Sequence, residues 1–289
     1  MSIFVYGSLA FDIIFSVSCD FRKSIPLEEG EIKNFNASFI ANEKREYPGG
    51  TAGNISFWLG KNSTSSTLFS AWGKDFSQKG YRQRLEKLGA EIFGPEGEFT
   101  AHAYMVSDPL HQQLIIWQAN AYEKIEKVNL RDHLDLKSFK YAIFSAGSPT
   151  SILKHLIEFR KENSQATIIF DPGQVAQFFD KNAFLECCRS SDIIIGNQTE
   201  FTHFQQYGIP DGMTEIETLG ESGALLRQNS KEEKINPVPV KNVVETTGAG
   251  DAFRAGLLAG LSGGKSLLEA SELGAELGAQ CVQMPSAQG

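Results

Sequence analysis

The run from Glu245 to Gly256 reads ETTGAGDAFRAG. Three small residues, Gly248, Ala249 and Gly250, precede one acid, Asp251, and an apolar run from Ala252 to Leu261 follows. This spacing predicts a tight loop opening directly into a helix. The first N–H groups of a helix are unpaired and carry the positive end of its dipole. Gly and Ala let an anion approach that backbone closely. Asp251 is then either a plain helix cap or a base held beside a bound anion. A cap alone has no need of three successive residues that clear space, so the base reading gains weight. An anion cradle paired with a carboxylate is what phosphoryl transfer to a hydroxyl requires.

Other polar groups stand where apolar runs end. Gly7-Ser8 and then Asp12 follow Ile3 to Tyr6, Asp171-Pro172-Gly173 follows Ile168 to Phe170, and Asn197 and Glu200 follow Ile193 to Ile195. In parallel α/β sheets, ligands bind beyond such strand ends. Asn197 and Glu200, three apart at a helix start, would either hold Mg²⁺ through water or form a capping box. Thr218-x-Gly220-x-x-Gly223 is either a nucleotide-contacting turn or a Gly-rich hairpin. Asp12 and Asn54 could bind the hydroxyls of a polar substrate, or serve as surface and capping residues. Gly263-Gly264-Lys265-Ser266 fails as a P-loop, because position 259 is Ala. The five histidines show no metal-ligand spacing.

The elements that position these groups follow from the apolar pattern. Phe11 to Ser18 and Glu31 to Ile40 alternate like half-buried strands, and Tyr47-Pro48-Gly49-Gly50 reads as a breaker. Helices are expected over Thr51 to Lys61 and Phe76 to Leu88, with a strand over Thr67 to Trp72 between them. Ala101 to Val106 and Leu114 to Gln118 predict a hairpin. From about residue 137, short apolar runs alternate with helical stretches, including one over Phe178 to Cys188. That alternation predicts βαβ units and a parallel sheet. The expected fold class is α/β: a doubly wound, mainly parallel sheet flanked by helices. The expected core comprises residues 1–12, 46–97 and 121–289. Residues 13–45 and 98–120 would form a small β-sheet lid.

Composition bounds the partners. The chain has 289 residues and a net charge of −8, which argues against nucleic acid or an anionic membrane as the main partner. A small anion remains compatible, because backbone dipoles bind phosphate without net positive charge. Cys19, Cys187, Cys188 and Cys281 form no C-x-x-C pair and read as incidental thiols in a reducing cytoplasm. The expected localisation is cytoplasmic, with no apolar run near the length of a membrane span.

Taken together, GGTAGN (Gly49 to Asn54), DPG (171–173), NQTE (197–200), TLGESG (218–223) and TTGAGDAF (246–253) resemble, in order, the ribokinase-like family of sugar and nucleoside kinases, of the phosphofructokinase B type. The resemblance implies that Asp251 deprotonates the acceptor hydroxyl. The backbone of Gly248, Ala249 and Gly250 would form the anion hole. Asn197 and Glu200 would organise Mg²⁺, and Asn197, Thr218, Gly220, Gly223 and Thr247 would hold ATP. Ser8, Asp12, Gly49, Gly50 and Asn54 would bind the acceptor, with the lid closing above it and, in several family members, making a homodimer. The family commonly has Asp where this chain has Glu245, which bears on any monovalent-cation (K⁺) site nearby. The segments GSLAFDII, EYPGGTAGNISF and AHAYMVSD look most like bacterial adenosine-kinase-like members, and Phe15, Phe39, Met105 and Trp117 would either stack on a base or form the lid's own small core. Ser8, where such kinases often carry Asn, departs from that pattern. The alternatives are a sugar kinase acting on ribose, fructose or a related sugar, or a non-catalytic sensor on the same fold.

Overall fold

The protein is described by a computed structural model covering residues 2–21, 37–110 and 112–289. Its first strand, β1 (Ser2–Tyr6), lies inside a nine-stranded sheet. On one side of β1 come β4 (Ser66–Phe69) and β6 (Ala90–Phe93). On the other come β10 (Phe139–Phe144), β11 (Thr167–Phe170), β12 (Ile193–Asn197) and β13 (Thr214–Thr218), all parallel to β1. Two antiparallel strands, β14 (Ala224–Gln228) and β15 (Lys231–Ile235), complete that edge. The chain order reverses between β1 and β10, and a crevice opens at such a switch point beyond the strand ends.

Both faces of this sheet are covered, so its strands are almost wholly apolar. Ile3, Val5, Ile143, Ile169 and Ile195 pack toward helices α1 (Thr51–Lys61), α7 (Ala249–Ser262) and α8 (Leu267–Cys281). Phe4, Tyr6, Phe144, Ile168 and Phe170 pack on the other face, toward α4 (Pro149–Glu162), α5 (Lys181–Arg189) and α6 (Gln198–Tyr207). Helices α7 and α8 approach closely: a Cβ at Gly256 would lie 2.6 Å from the Leu273 carbonyl oxygen.

A second sheet of four strands has the order β3-β2-β8-β9. It comprises β2 (Ala10–Val17), β3 (Ala41–Gly49), β8 (Ala101–Ser107) and β9 (Gln113–Gln118). The expected hairpin is the antiparallel β8–β9 pair. Both β2 and β3 run across the boundaries drawn at residues 13 and 46.

Several elements differ from expectation. The strand expected over Glu31 to Ile40 falls partly outside the described residues, and 37–40 is not strand. The breaker at Tyr47-Pro48 lies inside β3, with Pro48 opposite Phe11. Pro is tolerated there because β3 is an edge strand. The strand over Thr67 to Trp72 divides into β4 and a short β5 (Trp72–Gly73), which pairs with β7 (Glu96–Gly97). The helix over Phe76 to Leu88 is two, α2 (Lys74–Gln78) and α3 (Tyr81–Lys87), separated by Gly80 at φ +76°. That left-handed residue cannot continue a helix. In the stretch Phe178 to Cys188, α5 begins only after Asp180, whose carboxylate caps it through the Ala183 N–H. Among the described residues, no helix is long and apolar enough to cross a membrane.

Candidate active site

The start of α7 is built by its lead-in. Glu245 Oε1 accepts the N–H of Thr246 at 2.8 Å, the N–H of Thr247 at 3.0 Å and the Thr247 hydroxyl at 2.9 Å. Gly248 then takes φ +84° and ψ −4°, the dihedrals a type II turn demands at its third residue. The Ala249 N–H closes that turn on the Thr246 carbonyl at 3.2 Å. This corrects the expected anion hole at its middle member. The free donors, with no acceptor among the described residues, are the N–H groups of Gly248, Gly250 and Asp251. Gly248 is required twice over, since a Cβ there would also sit 2.4 Å from the Ala287 Cβ.

Gly248 stands at the cap position, and Asp251 is the third residue of the helix rather than its cap. The Asp251 carboxylate instead accepts the Asn54 Nδ2–H at 2.8 Å. Asn54 comes from the first turn of α1, which the chain enters through Gly50 at φ +82°. A Cβ at Gly50 would lie 2.6 Å from the Ser8 carbonyl oxygen, and that carbonyl accepts the Ala52 N–H at 3.0 Å. Ser8 Oγ accepts the Thr51 N–H at 3.2 Å. Ser8 thus satisfies the start of α1, and its hydroxyl is committed to that helix.

Asp12 lies on β2, buried against the Gly49 backbone: a Cβ at Gly49 would meet the Asp12 Oδ2 at 2.2 Å. Its carboxylate accepts no hydrogen bond from the described residues. Burial, and then the Asp251 charge, raise the Asp12 carboxyl to about 7. Burial likewise raises Asp251 to about 7, against the opposing pull of the Asn54 hydrogen bond and the Arg254 guanidinium. Two buried carboxylates poised near neutrality, one of them without a donor among the described residues, thus lie close enough for the charge of one to act on the other.

Asn197 and Glu200 form a reciprocal capping box at the start of α6. Asn197 Oδ1 accepts the Glu200 N–H at 2.9 Å, and Glu200 Oε2 accepts the Asn197 N–H at 2.8 Å. Glu200 is buried, which raises its carboxyl, while Arg254 opposes that rise. Arg254, one turn along α7 from Asp251, donates to both oxygens of Asp171 at 2.5 and 2.7 Å and to the Gly250 carbonyl at 3.0 Å. Its Nη2 stands 3.9 Å from Glu200 Oε2. This buried fork fastens the ends of β11 and β12 to the first turn of α7.

The donor set bears on Mg²⁺. Asn197 Oδ1 and Glu200 Oε2 are spent on the cap, leaving Glu200 Oε1 as one hard oxygen. Among the described residues, no three acidic, His or Cys side chains cluster as a cage. That fits an ion held mainly by phosphate and water through one carboxylate, the usual habit of Mg²⁺.

Thr218, Gly220 and Gly223 form the turn between β13 and β14. The Thr218 hydroxyl donates to the Gly196 carbonyl at 3.3 Å. Gly223, at φ +92°, abuts the Ile235 carbonyl, where a Cβ would lie at 2.1 Å, whereas none of the described residues crowds Gly220. A Gly-rich antiparallel hairpin thus stands at this strand end.

The small sheet sorts the expected aromatic wall. Strand register places Asp12, Tyr47, Ala103 and Trp117 on one face, with Ile14, Arg45, Met105 and Ile115 two residues on. Met105 and Trp117 therefore share the Asp12 face. Phe15 alternates to the opposite face, and Phe39 packs against Phe21, ring centroids 5.1 Å apart and tilted by 59°. Below this face lies a cleft lined by Ile14, Ser16, Arg45, Gln113 and Glu245.

The motifs did not announce four further residues: Asp171 as the partner of Arg254, Arg254 itself, Tyr81 and Gln288. Arg254 had a signal, a lone cation in an apolar helix three residues after Asp251. Tyr81 and Gln288 had none, because their contacts are long-range.

Residues 25–289 match the pfkB family carbohydrate kinases. A nucleoside kinase of Methanocaldococcus jannaschii is 26% identical over 266 residues, 88% of this chain and 85% of that one. The structure of a Burkholderia thailandensis nucleoside kinase in complex with inosine superposes with a TM-score of 0.84 at 26% identity, covering 99% of this chain and 92% of that one. An adenosine kinase of Schizosaccharomyces pombe is 28% identical over 163 residues, 47% of each chain. With a ribokinase-like sheet, and with Asp251 set behind a row of open N–H groups, this chain belongs to the pfkB family of carbohydrate and nucleoside kinases, enzymes that transfer phosphoryl groups.

Proposed function

We propose that the protein transfers the γ-phosphoryl group of ATP to a primary hydroxyl of a ribonucleoside, the 5′-OH of adenosine or a close relative. Asp251 takes the hydroxyl proton as that oxygen attacks phosphorus, and ADP leaves. The open N–H groups of Gly248, Gly250 and Asp251 meet the charge that builds on the phosphoryl oxygens. Asp12, with no donor among the described residues, accepts hydrogen bonds from the acceptor's other hydroxyls beside Gly49, Gly50 and Asn54. Thr218, Gly220, Gly223 and Thr247 line the nucleotide, and Glu200 holds Mg²⁺ through water. The ion would offset phosphate charge. The four-stranded sheet is the lid that excludes water, and its exposed β9 face would serve a homodimer.

The observation that carries this reading is the pairing of Asp251, raised to about 7, with three acceptor-free N–H groups at the start of α7. Nucleoside kinases among the relatives, and Met105 and Trp117 on the Asp12 face, support a nucleoside acceptor. The polar cleft lining, with Ser16, Arg45 and Gln113, favours the second reading, a sugar kinase. A panel assay of ADP formation with nucleosides and sugars separates the two. Turnover of sugars without nucleosides overturns the adenosine reading, and ligand binding without any turnover would leave only a sensor.

A further inference from the structure

Gln288 follows α8 and is 1% exposed. Its carbonyl accepts from the Arg84 guanidinium, and its N–H donates to Ser286 Oγ at 3.3 Å, so its backbone is pinned. The side-chain amide uses both hydrogens. One goes to Asn54 Oδ1 at 2.9 Å and the other to Tyr81 Oη at 2.6 Å. Tyr81 spends its own hydroxyl proton on the Gly49 carbonyl at 2.8 Å, so toward Gln288 it can only accept. The orientation of the Gln288 amide is thereby determined. Its Oε1 is left buried with no partner among the described residues. A stranded carbonyl of this kind is destabilising. An apolar side chain would avoid that cost, so the two amide hydrogens must supply what an apolar residue could not.

They set the direction of Asn54. With its Oδ1 held by Gln288, Asn54 can present only Nδ2 to Asp251, as the 2.8 Å bond shows. Turned over, Asn54 would aim a carbonyl oxygen at a carboxylate. The same chain of bonds ends at Gly49, whose backbone bears on Asp12. We propose that Gln288 is a positioning residue for the reaction: it locks the Asn54 amide as a donor to the base and ties that lock to the acceptor-binding Gly49. This rests on the reading of Asp251 as the base.

The test is the pH dependence of kcat, with ATP and adenosine or the acceptor turned over fastest in the panel. Gln288→Met keeps the volume and removes the donors, and Tyr81→Phe removes the second anchor should the first variant fold poorly. Wild type is expected to lose activity below a pH of about 7, the value to which Asp251 is raised. Without the Asn54 bond the carboxylate holds its proton more tightly. In Gln288→Met the acid limb moves up by roughly half a unit or more, a threefold or larger loss on that limb. Tyr81→Phe moves it the same way by less, and the ATP KM stays within about twofold in both. A lower unfolding midpoint with an unmoved acid limb in the folded variants would show a purely structural Gln288 and overturn the proposal. The control is Asp251→Asn: an acid limb that persists there overturns the base reading itself, and the role of Gln288 with it.

Discussion

Asn54 and Asp251 stand 197 residues apart in sequence and 2.8 Å apart in space, amide to carboxylate. The bond joins the first turn of one helix to the first turn of another, and it holds the carboxylate away from a capping role. Replacing Asp251 by Asn removes the proposed proton acceptor while keeping the shape. A kcat loss of roughly a hundredfold or more is expected, with acceptor and nucleotide still bound in calorimetry. Near-wild-type kcat would reduce Asp251 to a structural residue.

The two raised carboxyls also tie stability to pH. A carboxyl at about 7 in the folded protein, against 3.8 as the ordinary value, binds protons that the unfolded chain has released. Its protonated form therefore favours folding, and that contribution is lost as pH rises from about 4 through about 7. Asp12→Asn removes the ionisation. Its unfolding midpoint should exceed wild type at pH 8, by a gap that shrinks toward pH 4, while the acceptor KM rises. A pH-independent difference in midpoint would contradict the buried charge.

Gly250 leaves the approach to the α7 backbone clear, and a Cβ there would already lie 2.8 Å from Arg254 Nη1. Gly250→Val should crowd both the open N–H row and the guanidinium. The ATP KM should rise and kcat fall by roughly tenfold or more. Unchanged values would remove Gly250 from the anion hole.

Arg254 and Asp171 are both nearly fully buried and doubly hydrogen-bonded. Arg254→Met strands the Asp171 charge, and the expected loss of stability is about 3–5 kcal/mol, read from denaturant unfolding. The double variant Arg254→Met with Asp171→Asn should recover part of it. No recovery would mean that the loss came from packing rather than from the unpaired charge.

What the sequence made legible was local. The helix over Thr51 to Lys61 matches its apolar period residue for residue, and the apolar run Ile168 to Phe170 falls inside β11. The small residues before Asp251 marked the turn that opens α7 with unpaired N–H groups among the described residues. The split at Gly80 was missed since a single Gly inside a helical pattern is often tolerated, and only its left-handed φ breaks the helix. Ala249 was assigned an open N–H, but turn geometry that no composition encodes closes it on Thr246. Gln288 and Tyr81 act through bonds spanning 207 and 234 residues, and one sequence carries no sign of such distances.

The Ala287 segment backs the Gly248 turn: its Cβ fills the space beside Gly248, and its carbonyl accepts the Trp58 indole N–H at 2.9 Å. Residues at this position leave the ribosome after all the elements they brace. A chain interrupted before Ala287 would have its sheets and helices yet lack the support that fixes the cradle. The shape of the turn that opens α7 is thus set by a segment outside every helix and strand, and trimming that segment should loosen the turn while sparing the sheets.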